Sequence, residues 1–260
     1  MGSEDVYKRQ VNEVANGLLQ DGAGPGVPAL AVVPGGSTNV FSRALGHSRD
    51  PVEATGEILD SLRAGRSRTV SLGSASARTA DGWTEPRHFV FAAGLGFDAA
   101  VIARVEAQRA RGRRSTGALY VRSGVASFLL GTERRRPPMT LEVPGEPPVD
   151  GLFLSLVSNV SPWTYLGARP IQPSPEASFD TGLDVFALGR MGVVRMLHHL
   201  RQTMAARPDA RGRGVHRWHD VPEVTITATR PQGWQLDGDH LGEATGLRVR
   251  HVPDALRVIA

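Results

Sequence analysis

The sequence predicts a mixed fold, in which a small α/β lobe precedes a larger β-sandwich-like domain with a few helices. Three observations lead to this class. A strand-like run over residues 29–33 is followed by a glycine turn and a helix-like run over residues 41–45. After residue 67 the apolar residues alternate with period two, which is typical of strands. Thirty glycines and eighteen prolines provide the many turns that a β-rich architecture needs.

The first 66 residues contain three helical patterns. A short helix is predicted at Val11–Leu19, a second at Phe41–Leu45 and a third at Val52–Arg63. The third is amphipathic, and its apolar side chains should face inward: Ala54, Ile58, Leu59 and Leu62.

The remaining residues contain mostly strand patterns. In Val224–Thr229 the alternation is clean, so one face of this strand should be buried and the other exposed to water. Helices are predicted at residues 98–109, 117–130 and 191–206. Strand patterns cover Arg68–Leu72, His88–Ala93, Met139–Val143, Leu152–Asn159, Leu183–Leu188, Val221–Thr229 and Leu247–Val252.

The segment Pro34–Phe41 is typical of a phosphate-binding loop. A strand, a glycine turn and hydroxyl residues at a helix start let backbone N–H groups approach a negative charge closely. The alternative is an ordinary β-to-α turn, with Ser37 or Thr38 capping the helix.

Four further segments follow an order along the chain that, together with this loop, indicates a family resemblance. Together the five segments resemble the diacylglycerol kinase catalytic-domain family, which includes bacterial lipid kinases and sphingosine kinases. The resemblance implies two domains with the active site in the cleft between them, and a last strand that returns to the first domain. The segments are Val11–Leu19, Pro34–Phe41, Gly94–Ala99, Asp180–Asp184 and Leu236–Asp239.

One departure from the family pattern lies at the N-terminus. The family has Gly-Asp-Gly-Thr where this chain has Tyr7-Lys8-Arg9-Gln10, and Asp5–Gln10 is what one frame of a common transposon sequencing adaptor would encode. We therefore expect residues 1–10 to be a non-native assembly scar. On this expectation residues 11–66 are the remnant of a truncated α/β nucleotide-binding domain. Residues 67–250 are then a β-rich substrate and catalytic domain, and residues 251–260 are the returning strand.

The resemblance also implies which residues bind ATP. Asn12 and Ser37 would contact the nucleotide, and the loop would be completed by Gly35, Gly36, Thr38 and Asn39. The expected cofactors are ATP and Mg²⁺, because phosphoryl transfer depends on positioning the phosphates and neutralising their charge.

Four aspartates are candidates for the chemistry. The resemblance favours Asp237 as the proton acceptor with Asp239 as its partner, although Asp237-Gly238 is also a common solvent-facing hairpin turn. Asp98 is expected to cap a helix and to orient the lipid hydroxyl. Asp180 could bind a metal ion, or it could belong to a simple β-turn before the next strand.

Composition and charge limit the remaining classes. The chain has no cysteine, no run of eighteen apolar residues and no apolar signal region, which favours a cytoplasmic protein without disulfides or a membrane span. Arginine clusters at 109–114, 134–136 and 211–217 are expected to attract anionic headgroups at the inner membrane face. No nucleic-acid-binding signature is present. A homodimer is one option, since the truncation would leave an open sheet edge.

These features predict an ATP-dependent lipid kinase that transfers the γ-phosphate to a diacylglycerol-like or sphingoid hydroxyl. The truncation is expected to impair this activity. The alternative from another class is a non-catalytic lipid- or anion-binding module or an inert kinase fragment. A soluble nucleotide kinase related to NAD kinases is a third possibility.

Overall fold

The computed structural model describes residues 3–24, 26–36, 38–97, 99, 136–166 and 168–260, and for residues 3–9 it describes the backbone only. Two of the expected helices, within residues 98–130, therefore lie outside the described part apart from its edge at residue 99. The described helices are α1 (Ser3–Leu18), α2 (Val40–Ala44), α3 (Pro51–Arg63) and α4 (Val193–Thr203).

Ten of the twelve described strands belong to one antiparallel sheet. Its strands follow the order β10-β9-β6-β4-β11-β12-β1-β2, with β3 paired to β1 and β5 paired to both β11 and β6. A separate two-stranded sheet joins β7 and β8. The strands are β1 (Arg68–Thr79), β2 (Gly82–Trp83), β3 (Arg87–Phe89), β4 (Ala92–Gly96), β5 (Met139–Glu142), β6 (Val149–Ser158), β7 (Thr164–Leu166), β8 (Arg169–Ile171), β9 (Leu183–Gly189), β10 (Val215–Val221), β11 (Glu223–Leu236) and β12 (Asp239–Val258).

The register of β4 fixes the position of the β11–β12 turn. Strand β4 lies between β6 and β11, with Ala93 opposite Val157 on one side and Leu236 on the other. Strand β11 ends at Leu236 and β12 begins at Asp239, so the turn between them lies beside the start of β4. This pairing brings the segment before β4 next to Asp237.

Helices α1 and α2 share one apolar core with the ends of the long strands. Phe41 of α2 is 3% exposed and packs edge-on against Phe179, with ring centroids 5.5 Å apart. Ala15 of α1 is fully buried in the same core, as are Val70 and Val258. Burial of this apolar surface holds α1 and α2 against β1 and β12.

The C-terminal end of the chain contacts the expected first lobe. Leu30 forms a parallel bridge with Val258, donates its N–H to the carbonyl of Arg257 at 2.9 Å, and accepts from the N–H of Ile259 at 3.0 Å. Leu30 is the only described residue of the run 29–33 that pairs, so the strand predicted there is reduced to an isolated bridge.

Helix α3 corrects one packing expectation. Ala54 and Ile58 are buried as predicted, but Leu59 is 45% and Leu62 is 51% exposed. The helix buries only a narrow stripe because it packs at the edge of the first lobe. Asp50 caps the start of the helix by accepting the N–H of Val52 at 2.8 Å. Helix α1 runs without interruption across residue 10, where the scar was expected to end.

Candidate active site

The sequence Asp237-Gly238 forms the two-residue turn of the β11–β12 hairpin. Both residues have positive φ, 50° at Asp237 and 83° at Gly238, which is the backbone of a type I′ turn. The hairpin alternative is therefore correct as local structure. Its solvent-facing version is wrong, because Asp237 is 0% exposed. The turn lies against the segment that enters β4, and this segment covers the carboxylate.

The Asp237 carboxylate accepts four hydrogen bonds. The backbone N–H of Val90 reaches Oδ2 at 2.8 Å, and those of Phe91 and Ala92 reach Oδ1 at 2.8 and 3.1 Å. The fourth donor is the side-chain amide of Asn12, 2.6 Å from Oδ2. Three successive backbone N–H groups pointing at one anion form a concave anion-binding site, and here the anion belongs to the chain itself. We call these groups together the Asp237 clamp.

Asn12 connects the Asp237 clamp to α1. Its Nδ2 also donates to the carbonyl of His88 at 3.0 Å, and its Oδ1 accepts from Arg87 and from Asn16 at 3.1 Å. One turn further along the helix, Asn16 accepts the N–H of His88 at 2.8 Å. Helix α1 is thus hydrogen-bonded to β3 through two amide side chains, and Asn12 itself is only 4% exposed.

Burial and hydrogen bonding act on the pKa of Asp237 in opposite directions. Burial raises the pKa of this carboxyl, while the N–H groups of Val90, Phe91 and Ala92 and the Asn12 amide lower it. All four partners donate, so the arrangement matches the ionised carboxylate, which only accepts.

The loop 34–39 is closed by its own asparagine. Asn39 accepts the N–H of Gly36 at 2.8 Å and donates to the carbonyl of Gly36 at 2.7 Å, with its backbone in the left-handed region at φ 43°. Asn39 also occupies the N-cap position of α2, where a hydroxyl residue was expected, and its side chain makes no capping bond. The N–H of Gly36 is therefore engaged within the loop.

Thr38 is the residue of this loop with an unused polar atom. Thr38 as a whole is 9% exposed. Its Oγ1 is buried and has no hydrogen-bond partner in the described structure. A buried hydroxyl without a partner costs free energy that a bound acceptor, such as a phosphate oxygen, would recover. The loop is thus chemically suited to a phosphate group of ATP.

A small pocket joins the loop to the Asp237 clamp. It is lined by Pro34 and Asn39 on one side and by Val90 and Phe91 on the other, whose N–H groups bind Asp237. Its volume of about 30 Å³ admits one or two water molecules. No other predicted site residue in the described part, Asp237 included, lines this pocket, and a nucleotide would need the pocket to widen.

The other predicted residues lie apart from the pocket or outside the described part. Ser37 and Asp98 are not among the described residues. Gly35 is exposed, and Asp239 is half-buried at the start of β12. Their roles stay predictions.

Asp180 lies on the surface. Its side chain is 77% exposed and 3.8 Å from Arg68, and it does not belong to the described cluster of metal-type ligands. That cluster consists of Glu176, Asp184 and His219. Asp184 accepts a hydrogen bond from His219 Nδ1 at 2.7 Å. Burial raises the pKa of Asp184, whereas this hydrogen bond lowers it. A hydrogen bond between His219 and Asp184 thus accounts for two members of this cluster, and metal binding by Asp180 stays a prediction.

Asn159 is a site residue that the sequence did not reveal. It is fully buried, donates through Nδ2 to the carbonyls of Ser71 and Val90 at 2.9 and 3.0 Å, and donates its N–H to the carbonyl of Phe91 at 2.9 Å. Asn159 thus holds the carbonyls of the segment whose N–H groups bind Asp237. The available signal was a polar residue directly after the apolar run of β6.

Comparison with known proteins finds one matching family. Residues 10–75 match the model of the diacylglycerol kinase catalytic domain. The predicted family resemblance is confirmed. This match covers α1 from residue 10 onward, the loop 34–39, α2, α3 and β1 as far as residue 75. No curated protein gives a significant sequence match to the chain.

Solved structures extend the likeness to nearly the whole chain. A diacylglycerol kinase from Bacillus anthracis str. Sterne aligns with 97% of this chain and 73% of its own length, at 18% identity and a TM-score of 0.62. Two further Bacillus anthracis structures of the same description give 19% and 20% identity with TM-scores of 0.63 and 0.62. At these identities the likeness establishes the fold, an α/β N-terminal lobe followed by a β-rich domain, as the sequence predicted.

No helix in the described ranges combines the length and the apolar character that crossing a membrane requires.

Proposed function

We propose that this chain is an ATP-dependent lipid kinase that phosphorylates a diacylglycerol-like or sphingoid hydroxyl. The observation that carries the proposal is the shared pocket between the loop 34–39 and the Asp237 clamp. The family match over residues 10–75 supports kinase chemistry, and ATP is the phosphoryl donor that such chemistry implies.

The proposed reaction is a direct transfer. The lipid hydroxyl oxygen forms a bond to the γ-phosphorus as the bond from that phosphorus to the bridging oxygen breaks, and ADP leaves. The hydroxyl proton passes to a carboxylate, for which Asp237 is the proposed acceptor. Mg²⁺ is proposed to arrive with the nucleotide and to neutralise phosphate charge.

The Asp237 clamp sets a condition on this role. All four donors occupy the carboxylate, so one of them must withdraw before a lipid hydroxyl can approach. Asn12 is the best suited, because a side-chain amide on α1 can move without breaking the β4 backbone. Thr38 Oγ1 is proposed to contact a phosphate oxygen, since it has no partner in the described structure.

The test is phosphate transfer from γ-labelled ATP to diacylglycerol or sphingosine in mixed micelles. We expect labelled lipid from the wild type and at least a hundredfold loss in Asp237→Asn, on the order expected for removal of a general base. The matched control is Asp81→Asn, because Asp81 also lies in a hairpin turn, between β1 and β2, but is exposed. It should retain full activity.

A second candidate is a non-catalytic lipid- or anion-binding module. One observation favours it, namely that Asp237 is fully enclosed and hydrogen-bonded as a structural group. A folded wild type that binds vesicles and transfers no phosphate would favour this candidate. Phosphate transfer to a soluble nucleoside without lipid would favour the class related to NAD kinases.

A further inference from the structure

Helix α4 carries an outward face that the proposed site does not use. Four residues at helical spacing form it: Val194, Leu197, His198 and Arg201. Val194 is 83% and Leu197 is 53% exposed. The opposite side of the helix is buried at His199 and Thr203, so the exposed apolar side chains are not needed for packing.

The surroundings of this face are strongly basic. The only acidic residue between positions 190 and 213 is Asp209, and it forms an ion pair with Arg211. Asp209 also contacts Arg217, which lies just outside this segment. The arginines of the segment are Arg190, Arg195, Arg201, Arg207, Arg211 and Arg213. Apart from Arg211, none of them pairs with a carboxylate in the part of the chain that the structure describes.

Helix α3 provides a contrast within the same molecule. It also exposes apolar side chains, Val52 at 80% and Leu62 at 51%. Its charged residues, however, are mainly acidic, including Glu53 and Glu57. Exposed apolar side chains therefore occur on both helices, and only α4 combines them with unpaired positive charge.

We propose that the outward face of α4 docks onto an anionic lipid bilayer, with Val194 and Leu197 entering the interface and Arg195 and Arg201 binding headgroups. A helix with apolar residues flanked by arginines is the type that lies in the plane of a membrane interface. Charge decides the occupant, since an acidic surface attracts α4 and repels α3. The inference rests on the proposed function only in that a lipid kinase meets its substrate at a bilayer.

Sedimentation with vesicles tests the electrostatic part. Each arginine near an anionic surface strengthens binding about fivefold, so Arg195→Gln with Arg201→Gln should weaken binding to phosphatidylglycerol vesicles about 25-fold. Added salt should remove most of this difference. The matched control is Arg63→Gln, an exposed arginine at the end of α3, which should bind like the wild type.

Fluorescence tests the insertion of the apolar residues. The tryptophan of Leu197→Trp should be quenched by lipids that carry bromine on their acyl chains, and that of Val52→Trp should not. Leu197→Ser should weaken binding about tenfold, because the side chain no longer leaves water. Circular dichroism checks that each variant is folded. We expect folding to be retained because the substituted residues are exposed.

The outcomes separate this inference from the proposed kinase activity. Equal quenching of Leu197→Trp and Val52→Trp, or full vesicle binding by the arginine variant, would overturn docking through α4. Loss of self-association instead of vesicle binding would make a second copy the occupant and would also overturn it. Failure of phosphate transfer to lipid in detergent micelles, with vesicle binding intact, would count against the kinase proposal alone.

Discussion

Two of the segments that combine aspartate with glycine, one at Asp237 and one at Asp180, have opposite surroundings. Asp237 in the β11–β12 turn is fully buried and accepts four hydrogen bonds, whereas the side chain of Asp180 is 77% exposed beside Arg68. Both lie directly before a strand. The difference arises from what packs over each turn, because the segment 90–92 covers Asp237 and supplies three N–H donors. A residue type and a turn signal therefore do not determine the role of a carboxylate.

The largest expected difference concerns stability. Asp237→Ala leaves three backbone N–H groups without an acceptor and removes one of the two acceptors of the Asn12 amide, and each buried donor left unpaired costs about 1–3 kcal/mol. We expect a loss of at least about 3 kcal/mol in the free energy of unfolding, measured with urea. Asp180→Ala should change it by less than about 0.5 kcal/mol. Similar losses in both variants would remove the contrast between the two turns.

The amide on α1 should have an intermediate effect. Asn12→Ala removes the hydrogen bonds to Asp237 and to the His88 carbonyl, so we expect a loss of about 2 kcal/mol in the free energy of unfolding. Its neighbour Glu13 is exposed on the same helix, and Glu13→Gln is the matched control with an expected loss below about 0.5 kcal/mol. If the two variants are equally stable, α1 does not depend on the Asp237 clamp.

The smallest of the three expected effects on the free energy of unfolding comes from acidification, through a histidine near the buried turn. Burial lowers the pKa of His88, whose backbone is held by Asn12 and Asn16, and burial likewise lowers the pKa of His216 and His251. The unfolded chain then binds more protons, so stability is lost as the pH falls below about 6.5, the ordinary histidine value. His88→Gln should reduce the slope of unfolding free energy between about pH 7 and pH 5.5. An unchanged slope in this variant would show that His88 does not contribute.

Local patterns in the sequence predicted much of the fold. The alternation of Val224–Thr229 became β11 with Val224 and Ile226 buried, and the pattern at Val52–Arg63 became α3. The run 29–33 failed as a strand, because a strand needs a partner along its length and only Leu30 has one. Pairing over two hundred residues is not encoded in local periodicity.

The residues of the candidate site stay predictions, and the contacts that surround Asp237 were not predicted. Asn12, the loop 34–39 and Asp237 were chosen by family resemblance, and they lie around one region of the structure. The clamp on Asp237 was not foreseen, since its backbone donors at Val90, Phe91 and Ala92 are about 145 residues away and any residue type supplies an N–H group. Asn159, which holds the same segment, was missed because its partners are also distant in the sequence.

The central claim is that the loop 34–39 and the Asp237 clamp form one nucleotide site. Hydrogen–deuterium exchange with and without MgATP measures this directly. We predict slower exchange on MgATP binding both in residues 34–42 and in residues 88–92. Unchanged exchange in both segments at saturating MgATP, or protection confined to a different part of the chain, would contradict the account.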